Sequence, residues 1–152
     1  KLAPGDIVDV DLWPGSFAGY RADSARNVFI GEPSVEAVQL YELTRQAYKA
    51  AVSVVRPGIR AEEVHRACRE VIEGGGRKQV WKVGHGVGLN NSHEAPLLQQ
   101  GNKRLLEPGM VFTIDPGVFI RRDVPIHIED TVVVTAEGYE NLNAFTHEMV
   151  VV

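Results

Sequence analysis

Two helical stripes sit side by side in the middle of this chain, strand-like runs fill both flanks, and that order restricts the fold more than any other feature. Behind Pro33, Ser34 has the chemistry of an N-cap, and Val38, Tyr41, Tyr48, Val52 and Val55 recur at helical spacing before Pro57-Gly58. A second helix is predicted from about Ala61 to Glu73, with Val64, Ala67, Cys68, Val71 and Ile72 on its apolar face and Gly74-Gly75-Gly76 closing it. Ahead of them, Ile7 to Trp13 alternates strictly. Val8, Val10 and Leu12 point one way, while Ile7, Asp9, Asp11 and Trp13 point the other. A further extended stretch, near Tyr20 and Val28 to Ile30, follows the Pro14-Gly15 turn signal and suggests a hairpin. Behind the helices come β-like runs at Met110 to Ile114, Val118 to Ile120, Ile126 to Ile128, Thr131 to Val134 and Met149 to Val152. Strands and helices segregated in this way indicate an α+β fold rather than alternating βαβ units.

Composition narrows the function. A formal net charge of −4 on 152 residues, with no basic run interleaved with aromatics, lacks the electrostatic footprint of a nucleic-acid binder. No apolar stretch approaches the roughly 18 to 20 residues needed to span a bilayer, so no membrane partner is expected. The lone Cys68 can form neither an internal disulfide nor a thiolate zinc cage, which fits a reducing compartment and an expected cytoplasmic location. The length suits one domain, residues 1–152. The chain starts at Lys1 and enters a strand pattern within a few residues, so the expectation is a piece of a larger protein.

The residues able to carry chemistry are Asp11, Asp23, His85, Asp115 and Glu129. Four carboxylates and one imidazole would suit a pair of divalent cations, because hard cations need several carboxylate oxygens and borderline metals accept imidazole beside them. Spacing alone leaves simpler readings open. Asp115 begins Asp-Pro-Gly, a common turn tripeptide. Glu129 and His127 share a strand face opposite Ile126 and Ile128, where a surface ion pair is the default. The glycines of Gly84-His85-Gly86-Val87-Gly88 would serve equally in a tight loop. Asp9 is either a solvated neighbour of Asp11 or a further ligand. Cys68 reads as core packing, and no Gly-x-Ser-x-Gly elbow is present.

Several motifs in order add a resemblance. Gly84-His85-Gly86-Val87-Gly88-Leu89, His93-Glu94-Ala95-Pro96, Leu106 to Gly117 and Ile128-Glu129-Asp130-Thr131 resemble the successive motifs of the pita-bread metallopeptidases, the family of Xaa-Pro aminopeptidases, prolidases and methionine aminopeptidases. Gly5-Asp6-Ile7-Val8 with Asp11-Leu12, and Gly19-Tyr20 with Asp23 and Arg26, resemble the strand pair that supplies the family's first two ligands. The likeness covers essentially the whole chain and is strongest to the Xaa-Pro branch. It implies the pita-bread fold, without most of its amino-terminal half and that half's helices. It also implies two divalent metal ions, manganese, cobalt or zinc. Asp11 would hold one metal, Asp23 and Glu129 would bridge both, and His85 with Asp115 would complete the second. A metal-bridging water would hydrolyse an amino-terminal peptide bond, with Asp115 shuttling the proton and His93 stabilising the tetrahedral intermediate. The implied partners are a peptide or small-molecule substrate and a second copy of the chain in a homodimer.

The sequence also departs from that pattern. The step between the aspartates (23 − 11) is one residue longer than usual, which predicts a bulge at Trp13 to Phe17, and Asn90-Asn91-Ser92 carries one residue extra before His93. Asp115 stands where Glu is usual, and His127 where the Xaa-Pro enzymes usually have Arg. These last two keep a second enzyme class in view, a creatinase-like hydrolase or a metal-dependent lyase of small sulfonium compounds on the same scaffold. A catalytically inactive binding module is the third reading.

Overall fold

The computed structural model describes residues 1–13, 15–79, 81–90, 93–122 and 124–152. Its amino-terminal strand β1 (Ile7–Asp11) pairs antiparallel with β4 (Ala25–Phe29), and a small hairpin of β2 (Gly15–Phe17) and β3 (Tyr20–Ala22) stands between them. β1 is shorter than its alternation implies. The Trp13 N–H turns back to Asp11 Oδ1 at 3.1 Å and the Gly15 N–H to the Leu12 carbonyl at 2.9 Å, which takes the chain out of the ladder. The expected bulge at Trp13 to Phe17 falls partly on Pro14, and the extra residue before His93 on Asn91 and Ser92, all outside the described residues.

Helix α1 (Val35–Ser53) begins where the sequence places it, with Ser34 Oγ accepting the Ala37 N–H at 3.2 Å. Its buried face is Leu40, Tyr41, Ala47, Tyr48, Ala51 and Val52, whereas Val38 is 44% exposed. Apolar character alone misplaces Val38, because the alanines define the face in contact with the sheet. Helix α2 (Ala61–Gly74) buries Val64, Cys68 and Ile72 against α1.

The carboxyl-terminal half supplies β5 (His85–Gly86), β6 (Glu94–Leu97), β7 (Val111–Ile114), β8 (Gly117–Arg121), β9 (Val124–Val134), β10 (Tyr139–Asn141) and β11 (Val150–Val151). The sheet runs β1-β4-β9-β7-β5-β6, with β8 and β10 also on β9 and β11 parallel to β4. Two runs expected to be separate, Ile126 to Ile128 and Thr131 to Val134, are one strand through Glu129 and Asp130. β9 is the hub: β8 and β7 follow one another along one edge, β4 and β10 along the other. Its even-numbered residues Ile126, Ile128 and Val132 are fully buried in the core beneath α1, each worth about 1.5–3 kcal/mol of burial. Its odd-numbered residues are left for the opposite face. Among the described residues no helix is long and apolar enough to cross a membrane.

Candidate metal centre

Three rows of side chains cross that opposite face, and strand register alone assembles them. Asp11 pairs with Ala25, and Ala25 with Glu129. β7 and β8 as far as Phe119 keep one register against β9, Ile114 facing Asp130 and Gly117 facing His127, which sets Asp115 opposite Glu129. The middle row is therefore Asp11, Ala25, Glu129 and Asp115. One step along every strand pair, Asp23, Thr131, Thr113 and His85 form the next row. Thr131 Oγ1 donates to the Asp23 carbonyl at 2.7 Å, and the His85 N–H donates to Thr113 Oγ1 at 3.2 Å. On the other side lie Asp9, Asn27, His127 and Gly117. The period of two keeps all three rows on one face. For the aspartates that face is decided by pairing across β1 and β4, not by counting residues between them.

The rows bring ligand atoms together in two groups. Those of Asp23, His85 and Glu129 lie within 4.8 Å of one another, as do those of Asp115, His127 and Glu129, so Glu129 belongs to both. His85 Nε2 is 3.5 Å from both Asp23 Oδ2 and Glu129 Oε1. His127 Nε2 is 2.6 Å from Asp115 Oδ1 and 3.8 Å from Glu129 Oε2, and its Nδ1 is 3.4 Å from Asp9 Oδ2. Asp11 faces the same cavity of about 420 Å³ but is exposed and stands outside both groups. His93 lies on the cavity wall, its ring stacked on His85 with centroids 3.9 Å apart. The surface ion pair expected of Glu129 and His127 is instead buried, at 2% and 7% exposure, because Trp81 packs edge-on over His127 with ring centroids 5.5 Å apart.

Burial controls the charges. Burial first, and then the neighbouring Glu129 carboxylate, push the Asp23 carboxyl up to about 7. Burial likewise raises Glu129 against the opposing pull of His85. For His127 burial opposes the charge, but hydrogen bonds to Asp115 and Asp9 outweigh it and hold the imidazole well above its ordinary value. His85 is also raised, its contact with Glu129 overcoming burial, whereas His93 is lowered by burial and by the nearby His85 and Lys82.

Asp23 Oδ1 and Glu129 Oε1 are buried without any hydrogen-bond partner. Two orphaned carboxylate oxygens facing imidazole across one cavity are a costly arrangement for an empty protein and a suitable one for a cation. The mixed oxygen and nitrogen donors fit manganese, cobalt or zinc. A larger depression beside α1, about 560 Å³ and bordered by Leu43, Gln46 and the Arg77–Glu36 pair, gathers no such group among the described residues.

Glycines around the site serve close approach rather than a loop. A Cβ on Gly84 would lie 1.9 Å from the Thr113 carbonyl oxygen, and one on Gly117 would lie 2.1 Å from the Trp81 ring. Trp81 itself escaped the sequence reading. Its Nε1 donates to Asp115 Oδ1 at 2.9 Å and to the Asp115 carbonyl at 3.0 Å, and no periodicity around it marks that role. Asn27 was also missed, although its place in a row with Asp9 and His127 follows once β1, β4 and β9 are paired.

This row of acids and histidines on one face of the sheet is the donor set of a candidate metal site, and comparison with known proteins points to a metalloprotein family. Metallopeptidase family M24 matches residues 1–136, and the chain belongs to that family. It is 40% identical to the probable dipeptidase PepE of Mycobacterium bovis over all of this chain and 41% of that protein. It is also 40% identical to the Xaa-Pro dipeptidase of Lactobacillus helveticus, over 96% of this chain and 39% of that one. The crystal structure of dipeptidase PepE from Mycobacterium ulcerans superposes with a TM-score of 0.93 at 41% identity, covering 99% of this chain and 41% of that chain. The fold is thus the pita-bread fold, and the chain spans about two fifths of the length of these relatives.

Proposed function

We propose that the protein is a metal-dependent peptidase that hydrolyses an amino-terminal peptide bond, of the Xaa-Pro dipeptidase type, with two divalent cations held by Asp11, Asp23, His85, Asp115 and Glu129. The carrying observation is Glu129, common to both ligand groups and buried with one oxygen unpartnered. Relatives that carry the names dipeptidase and Xaa-Pro dipeptidase support the substrate class. Bound cations would supply an acidified water and polarise the peptide carbonyl. Around them the chain's own groups have distinct tasks. Asp23 and Glu129 would serve both cations, Asp11 one of them, and His85 with Asp115 the other. The Asp115 carboxylate, fixed by the Trp81 N–H, takes the proton released as the nucleophile attacks. His93 donates to the substrate's developing oxyanion from the cavity wall. The assembly is a homodimer, and the residues 1–152 form one part of its catalytic domain.

The test is hydrolysis of Xaa-Pro dipeptides and tripeptides by the purified protein, expressed with everything its gene encodes and loaded with manganese, cobalt or zinc. Cleavage that disappears in the His85→Ala and Glu129→Ala variants is expected. Inertness toward every amino-terminal peptide bond, together with turnover of a small guanidino or sulfonium compound, would replace this reading with the creatinase-like or lyase one.

A further inference from the structure

The two ligand groups have the same composition: two carboxylates and one imidazole each, with Glu129 in common. Only the first contains a histidine that the sequence motifs assign to metal. Resting on the dinuclear reading above, we propose that His127 is a second imidazole ligand of the centre, joining Asp115 and Glu129 there, and that Asp9 is the carboxylate that orients it.

The position of the ring supports this first. Nε2 stands between two carboxylates, 2.6 Å from Asp115 Oδ1 in the connection between β7 and β8 and 3.8 Å from Glu129 Oε2 on β9. The far side of the ring is equally specific. A metal-binding histidine characteristically gives its other N–H to a carboxylate or carbonyl, which fixes tautomer and orientation. Here Nδ1 faces Asp9 Oδ2 at 3.4 Å. Asp9 is itself held, since Asn27 Nδ2 donates to its Oδ1 at 3.3 Å while Asn27 Oδ1 accepts the His127 backbone N–H at 2.6 Å. One asparagine therefore ties the histidine's backbone to the carboxylate behind its ring. Asp9, Asn27 and His127 occupy one register row, so the set depends on no loop. With two imidazoles among its donors, the centre favours borderline cations such as zinc and cobalt over magnesium.

The rival is a charged imidazole that merely bonds to Asp115 and touches no cation. Cobalt(II) loading of the protein, expressed with everything its gene encodes, separates them when metal content is combined with X-ray absorption. Two cobalt ions per chain with an average of one imidazole each are expected for the wild type, falling to half an imidazole each in His127→Ala and in the shape-preserving His127→Gln. Asp9→Asn should weaken binding of one cobalt by roughly 10–100-fold while leaving the imidazole number at saturation unchanged. Two cobalt ions sharing one imidazole, or a single cobalt with one imidazole, in the wild type would overturn the proposal. No cobalt bound at all would remove the dinuclear reading itself.

Discussion

Asp23 shows how burial sets the chemistry of a single residue. With its carboxyl near 7, it holds a proton in the metal-free protein that an arriving cation must displace. The folded state binds that proton more tightly than the unfolded chain does. Its contribution to stability is therefore complete at low pH, declines as pH rises above the ordinary carboxylate value of 3.8, and is lost through about 7. His127, also raised, acts in the same direction, its contribution being lost above the ordinary histidine value of 6.5. The metal-free protein should accordingly show a lower thermal midpoint at about pH 8 than at about pH 5, and zinc or manganese should raise the midpoint more at the higher pH. A midpoint that is flat with pH, with and without metal, would contradict this assignment of charge. His93 offers a second test at the same scale. Its ring touches His85 but belongs to neither ligand group, so His93→Ala should keep its metal and lose roughly 2.7–4 kcal/mol of transition-state stabilisation, about a 10²–10³-fold fall in kcat. Metal analysis alongside steady-state kinetics checks both halves of that statement.

Among the elements, β9 carries the most. Its odd-numbered side feeds the candidate metal centre, and on its even-numbered side Asp130 is fully buried where it anchors the carboxyl-terminal segment. Asp130 accepts from Arg26 Nη2 at 2.6 Å and Asn141 Nδ2 at 2.8 Å, and pairs with His147 Nε2 at 2.6 Å. Those bonds overcome burial and hold its carboxyl below the ordinary range. Asp130→Ala should cost about 3–5 kcal/mol, because it removes the buried carboxylate that the partly buried Arg26 and His147 share, and denaturant unfolding would measure it. The same strand shows what a sequence can and cannot convey. Alternation correctly put His127 and Glu129 on one face opposite Ile126 and Ile128. The adjacent acids Glu129 and Asp130, however, looked like a break between strands, since only their separate partners on the two faces make both tolerable inside one. Ser34 and the glycines after α2 marked helix ends by local chemistry alone. β5 and β6 gave no such signal. They are short, and what joins them is close backbone approach rather than pattern, since a Cβ on Gly86 would lie 2.3 Å from the Ala95 carbonyl oxygen of β6.

At the scale of the molecule, the sheet sorts the chain into two sides, apolar under the helices and ionisable on the face opposite. It brings Asp11 into one row with Glu129 and Asp115, although more than one hundred residues separate them in sequence. Ordered motifs singled out Asp23, His85, Asp115 and Glu129, which the two ligand groups contain, whereas Asp11 stands outside both groups, His127 was read as a surface partner, and Asn27 and Trp81 became visible only in the folded chain. Glu129 is the point at which both ligand groups meet, and no other described side chain belongs to both. The central claim is therefore tested most directly by the metal content of Glu129→Gln, measured by elemental analysis beside the wild type after loading with manganese or zinc. Two equivalents in the wild type and loss of both in the variant are expected, whereas a Glu129→Gln protein that keeps two equivalents at unchanged affinity would contradict the account.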